Sequence, residues 1–306
     1  MTGFRLPLDN PYCGLVETPK LSSLAMTANP IDAQFDLRAR HPNFQDYFDR
    51  NEALSAQALE ALPHDLDLPY GNHPLQTIDF FPADAPDSPI AIFIHGGYWR
   101  ALDKGLYRFL AQPLHEAGCS TSLVNYRLMP EVGMADIVSD IERAIELTSE
   151  IATDRGATSK SLHLSGHSAG GHLALTAALR MHARNRPIFS SIRSLFSLSG
   201  LFDLEPIRNS FLNAELNLSE RDILDFSPIR HRRLKVPIPL RFAVGSDETE
   251  AFIEQARAIN EWALAGGNRS AFELAEKSNH FDIVYDFGTS GGVLNSKLLE
   301  LIESAQ

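Results

Sequence analysis

The chain has 306 residues, of which 44% are hydrophobic and 22% charged, and its 27 Lys and Arg face 39 Asp and Glu for a formal net charge of −12. That length suits one large α/β domain whose core needs no covalent staples. An acidic chain without a Lys/Arg stripe excludes a counterion-releasing nucleic-acid groove and offers anionic membranes little attraction; the one dense basic run, HRRLK at 231–235, reads as a solvated surface turn.

The first stretch, MTGFRLPLDNPYCG, lacks the apolar core of a secretory signal, and no run of about 18 apolar residues could span a bilayer. Two cysteines, Cys13 and Cys119, read as thiols in a reducing compartment rather than as a disulfide. A cytoplasmic protein is the expectation.

In chain order, residues 1–30 read as an irregular arm. Residues 31–62 carry apolar residues at helical spacing, broken by Pro42, which predicts two helical pieces. Residues 1–74 are taken together as an N-terminal arm and cap segment, and 75–306 as the catalytic core of a single-domain chain. LQTIDFF (75–81) predicts a strand, PADAPDSP a turn, and IAIFIH (90–95) a central strand covered on both faces. A helix near 104–117, a strand at 120–125, a helix near 134–151 and a strand at 161–165 follow. Then come a helix to about 183, a strand at 192–198 and an irregular stretch, 200–235. A strand at 238–244, a helix at 249–265, a strand at 270–275 and one or two terminal helices complete the pattern. Strands alternating with helices of this length need crossovers, hence a mostly parallel sheet with helices on both faces.

Four strand-end segments carry candidate chemistry. In LHLSGHSAGGHLALTAAL (162–179), Gly166-His167-Ser168-Ala169-Gly170 fits G-x-S-x-G between a strand and a helix. A serine there needs a strained backbone and neighbours without side chains, and in return gains an exposed hydroxyl at a helix N-terminus. IFIHGGYWR (92–100) ends a strand in a glycine pair, where backbone amides can approach a developing oxyanion. Gly97 and Tyr98, with Gly96 as the alternate, and Ala169 after the serine are the candidate donors. RFAVGSDETE (241–250) supplies a carboxylate to orient an imidazole. Asp247 is the expected residue, Glu248 and Glu250 are rivals, and Asp203 is a further one. ELAEKSNHFDIV (273–284) places His280 where a general base belongs. The order Ser168, Asp247, His280 suits an α/β-hydrolase topology. No metal is expected, because the histidine spacings fit no zinc motif. Tyr98, Trp99, His167, Phe202 and Phe281 flank these loops and are the candidate substrate-pocket residues.

Together, HGGYW at 95–99, NYRLMPE at 125–131, GHSAGGH at 166–172, GSDE at 245–248 and NHFD at 279–282 resemble an α/β-hydrolase of the hormone-sensitive-lipase-like group. The HGGYW form resembles its kynurenine formamidase (arylformamidase) branch. The resemblance implies an α/β-hydrolase fold, a Ser168 acyl- or formyl-enzyme, and no cofactor. It further implies hydrolysis of a formamide or ester of an aromatic small molecule, N-formylkynurenine-like. A carboxylesterase or an aryl carbamate or amide hydrolase is the alternative, and a non-catalytic binder on the same fold the remote one. The partners expected are that small molecule and no nucleic acid or membrane, with a homodimer left open.

Overall fold

The computed structural model describes residues 29–158 and 160–305. The cap segment forms three helices, α1 (Asp32–Phe35), α2 (Leu37–Arg40) and α3 (Phe44–Ala61). Asp36 separates the first two and caps α2 by accepting from Ala39 N, and Pro42 lies in the break before α3. Most of the expected arm, with Cys13, lies outside the described residues. Cys119 is a buried free thiol whose pKa burial pushes up to about 11.

Eight strands make one sheet: β1 (Asp65–Pro69), β2 (Thr77–Phe81), β3 (Ile90–Ile94), β4 (Ser120–Val124), β5 (Leu162–His167), β6 (Ile192–Leu198), β7 (Leu240–Gly245) and β8 (Ser270–Ala275). Their order is β1-β2-β4-β3-β5-β6-β7-β8. β2 runs antiparallel to β1 and β4, and the remaining pairs are parallel. The sheet therefore begins at Asp65, ahead of the rhythmic segment that starts at 75. Strands β3, β4 and β5 are buried at every residue, which is why they read as unbroken apolar or small-residue runs.

Helices α4 (Ala111–Glu116), α5 (Met134–Asp154) and α6 (Ala169–Ala183) follow β3, β4 and β5, with a 3-10 helix at Lys104–Leu110 preceding α4. The stretch after β6 holds three short helices, α7 (Glu205–Arg208), α8 (Asn213–Leu216) and α9 (Glu220–Phe226). α10 (Glu250–Ala265) covers β7, and α11 (Ile283–Phe287) and α12 (Val293–Glu303) close the chain. Two apolar clusters flank the sheet. One packs Ile92, Leu164 and Leu195 against α5 and α6, and the other packs Phe93, Phe196 and Leu198 against Leu298 of α12. Among the described residues no helix is long and apolar enough to cross a membrane.

Register is what builds the site. Ile94 pairs with Gly166, so the HGGYW loop leaves β3 beside the serine turn that leaves β5. Gly245 pairs with Ala275, so the acidic turn after β7 lies beside the histidine loop after β8. All four segments emerge at the carboxyl edge of the parallel strands, where open α/β sheets form their ligand crevices.

Candidate active site

Ser168 sits at φ 55°, ψ −122° between β5 and α6. A side chain rarely tolerates that conformation, so the surroundings must impose it. They do so by close packing. A Cβ on Gly166 would lie 2.3 Å from Gly170 O, and one on Gly170 would lie 2.0 Å from Ile94 O. Both glycines are thus required where helix, turn and β3 meet. The Ser168 amide donates to Leu198 O at 2.8 Å and ties the turn to β6.

The HGGYW loop is equally constrained. Gly97, Tyr98 and Trp99 follow one another at positive φ (105°, 49° and 58°). Tyr126 Oη donates to His95 O at 2.9 Å, and Tyr98 Oη donates to Phe35 O at 3.0 Å. Among the described residues, the amides of Gly97, Tyr98 and Ala169 donate to no protein acceptor. They are available to a ligand oxygen, and Gly97 and Tyr98 line the cavity that contains Ser168.

The acid partner of His280 is Glu248, not Asp247. His280 Nδ1 donates to Glu248 Oε2 at 2.7 Å, with the two side chains 5% and 0% exposed. The other carboxylate oxygen, Oε1, accepts from Ser199 Oγ at 2.5 Å and from the Gly245 amide at 2.8 Å. The turn after β7 gives the reason. Glu248 N bonds back to Gly245 O and carries the Glu248 side chain inward. Asp247 is exposed and held by its amide to Ser278 O, and its carboxylate accepts from Ser246 Oγ. Arg40 of the cap donates to Asp247 O. Glu250 begins α10 at the surface, and Asp203 pairs with Arg230.

With Nδ1–H committed to Glu248, the chemistry leaves His280 Nε2 as the acceptor facing the cavity that it lines with Ser168. No hydrogen bond joins the Ser168 hydroxyl to the His280 ring. Such contacts commonly tighten only when substrate is bound. His280 is wedged between aromatic rings, 4.4 Å from Phe252, 4.6 Å from His167 and 6.1 Å edge-on to Phe281.

The cavity has a volume of about 130 Å³. Tyr98, His167 and Phe281, three of the expected pocket residues, line it, and the cap adds Phe35, Leu37 and Phe48. Trp99 and Phe202 do not. Trp99 is fully buried behind the loop and donates to His172 Nδ1 at 3.2 Å, while His172 Nε2 donates to Phe226 O at 2.7 Å. Burial drives the His172 pKa down to about 4, so the ring stays neutral and can accept from the indole. Phe202 is fully buried edge-on against Phe242, 5.4 Å away. Both aromatic side chains stand next to site loops in sequence but face the core. His167 is 5% exposed, with its ring beside the His280 backbone and 4.6 Å from the His280 ring. Burial, then the neighbouring His280, lowers its pKa well below the ordinary histidine value.

This sheet order, with a strained serine, a buried histidine–carboxylate pair and unpaired amides at one strand edge, defines the α/β-hydrolase class. The BD-FAE family matches residues 79–238, just over half of the chain. Kynurenine formamidase from Danio rerio is 30% identical over 244 residues, covering 78% of this chain and 81% of the relative. The Salmo salar kynurenine formamidase is 32% identical with the same coverage. Among solved structures, the esterase LipW from Mycobacterium marinum superposes with a TM-score of 0.67 at 17% identity, covering 85% of this chain and 88% of that one, a likeness of fold. The chain belongs to the BD-FAE family and is an α/β-hydrolase that resembles the kynurenine formamidases. It is a hydrolase of amide or ester bonds.

Proposed function

We propose that this hydrolase cleaves the formamide bond of an aromatic small molecule, N-formylkynurenine-like, through a serine-linked acyl intermediate. One observation carries the mechanism: Ser168 at positive φ shares a cavity with His280, whose Nδ1 lies 2.7 Å from the buried Glu248. Ser168 Oγ attacks the formyl carbon while His280 Nε2 takes its proton. Glu248 stabilises the resulting imidazolium and holds the ring in the required tautomer. The carbonyl electrons move onto oxygen, and the amides of Ala169 and of Gly97 or Tyr98 bind that oxyanion. As the tetrahedral species collapses, the C–N bond breaks and His280 returns its proton to the departing aryl amine. Water, activated by His280, then attacks the formyl ester and releases formate and free Ser168.

The substrate class rests on two supports. The relatives named above are kynurenine formamidases. In addition, Phe35, Phe48, Tyr98 and Phe281 give the cavity aromatic walls suited to an aryl group. A cytosolic setting completes the reading, supported by the free Cys119 thiol.

The test compares kcat/KM for N-formyl-L-kynurenine and p-nitrophenyl acetate on wild type and Ser168→Ala. Formamide turnover at least about tenfold above ester turnover, lost in the variant, is expected. Far faster ester turnover overturns the formamide reading in favour of an esterase. Undiminished turnover by Ser168→Ala overturns the mechanism.

A further inference from the structure

A second cavity, of about 420 Å³, opens between α6, α10 and the loop that carries the HRRLK run. It shares no lining residue with the Ser168 cavity and is the larger of the two. Leu179 and Trp262 are among its apolar walls. Trp262 is 5% exposed, and its Nε1 donates to His231 O at 3.2 Å, which fixes the indole plane against the loop.

The polar lining is one-sided. Arg180, Arg232 and Arg233 line the cavity, and among the described residues no Asp or Glu does. Arg180 is held 3.2 Å from Glu142. Arg232 and Arg233 have no acidic partner among the described residues, and both are exposed. In a chain of net charge −12, two unpaired guanidinium groups over an apolar trough make an isolated positive spot. Thr176 also lines the cavity. It is 2% exposed, and its hydroxyl has no hydrogen-bond partner among the described residues. Buried polar groups are nearly always satisfied, so an orphan beside an open cavity marks a place where a ligand oxygen would be favourable.

We infer that this cavity is a second binding site, separate from the catalytic one, for a small organic acid: an apolar, preferably aromatic, body seated on Leu179 and Trp262 and an anionic group held by Arg232 and Arg233. The apolar walls supply most of the contact area and the guanidinium fork selects for the anion.

The probe is 8-anilinonaphthalene-1-sulfonate added to the intact protein, with energy transfer from tryptophan as the readout. The chain holds two tryptophans, and only Trp262 lines this cavity. Saturable binding is expected, with the transfer reduced in Trp262→Phe to what Trp99 supplies, since the Trp99 ring meets His172 one turn of α6 from Thr176. The double variant Arg232→Ala/Arg233→Ala, whose side chains are exposed and outside the catalytic cavity, should bind the probe at least about tenfold more weakly. Its thermal midpoint and hydrolytic turnover should be unchanged. The neutral N-phenyl-1-naphthylamine should bind wild type at least about tenfold more weakly than the sulfonate, and only the sulfonate should weaken steeply between about 0.05 M and about 0.5 M salt. Equal sulfonate affinity in wild type and the double variant, equal affinity for the neutral probe, or full transfer in Trp262→Phe would each overturn the assignment.

Discussion

Replacing Glu248 by Gln changes one atom of the carboxylate and little of its shape. Oε1 can still accept from Ser199 Oγ and the Gly245 amide, so those two contacts survive. The new amide nitrogen then faces His280 Nδ1, where the carboxylate oxygen stood at 2.7 Å. Two N–H donors cannot face each other, so the ring must place its proton on Nε2. It can then no longer accept from Ser168. A wrong-tautomer triad loses about 10³–10⁴ in kcat, or about 4–5.5 kcal/mol of transition-state stabilisation. Stability should fall by about 1–2 kcal/mol, the value of one charge-assisted hydrogen bond, a drop in Tm of only a few degrees. Asp247→Asn touches only the surface turn and should keep kcat within about threefold, since surface substitutions away from such networks have small effects. Initial rates on both substrates, with melting curves on the same preparations, separate the two carboxylates. A Glu248→Gln protein with near-normal kcat, or an Asp247→Asn protein that loses the larger share, would refute the assignment.

Other outcomes follow from the same geometry. His95, His163 and His172 have pKa values lowered to about 4 by burial, against 6.5 when unfolded. The unfolded chain therefore binds up to three more protons between those values. Their contribution to stability is intact above about pH 6.5 and is lost as the pH falls towards about 4, at up to about 4 kcal/mol per pH unit. Urea unfolding across that window checks this, and His163→Gln should reduce the slope by up to about 1.4 kcal/mol per pH unit. Gly170→Ala places a methyl 2.0 Å from Ile94 O and should cost about 3 kcal/mol or more, read by chemical denaturation or by loss of folded protein. Trp99→Phe removes the donor to His172 and should cost about 1–2 kcal/mol while KM stays within about threefold, because the indole lies outside the cavity. A large rise in KM would return Trp99 to the pocket.

The elements whose chemistry is local were legible in the sequence. The serine turn needs glycines two residues away on both sides, and those glycines are written in the chain. Continuous apolar runs disclosed the buried strands for the same reason. What escaped was set by direction. In Asp247-Glu248 both acids lie within reach of the right loop, and only the turn's bond from Glu248 N to Gly245 O decides which one points inward. Trp99 and Phe202 stand beside site loops in sequence, but side-chain direction sends both into the core. The edge strand β1, DLDLP, falls inside the segment read as arm and cap, because its acids and proline lack the β-branched and aromatic signal of a strand, and an edge strand can keep them. The cap's lining residues Phe35, Leu37 and Phe48 follow an ordinary helical periodicity, which marks a buried face without saying what that face covers.

Covalent labelling tests the catalytic reading most directly. Wild-type protein treated with a fluorophosphonate should gain the mass of one adduct, mapped to the peptide that carries Ser168, and His280→Ala should label at least about a hundredfold more slowly. An adduct on another residue, or Ser168 labelling at the same rate without His280, would contradict it.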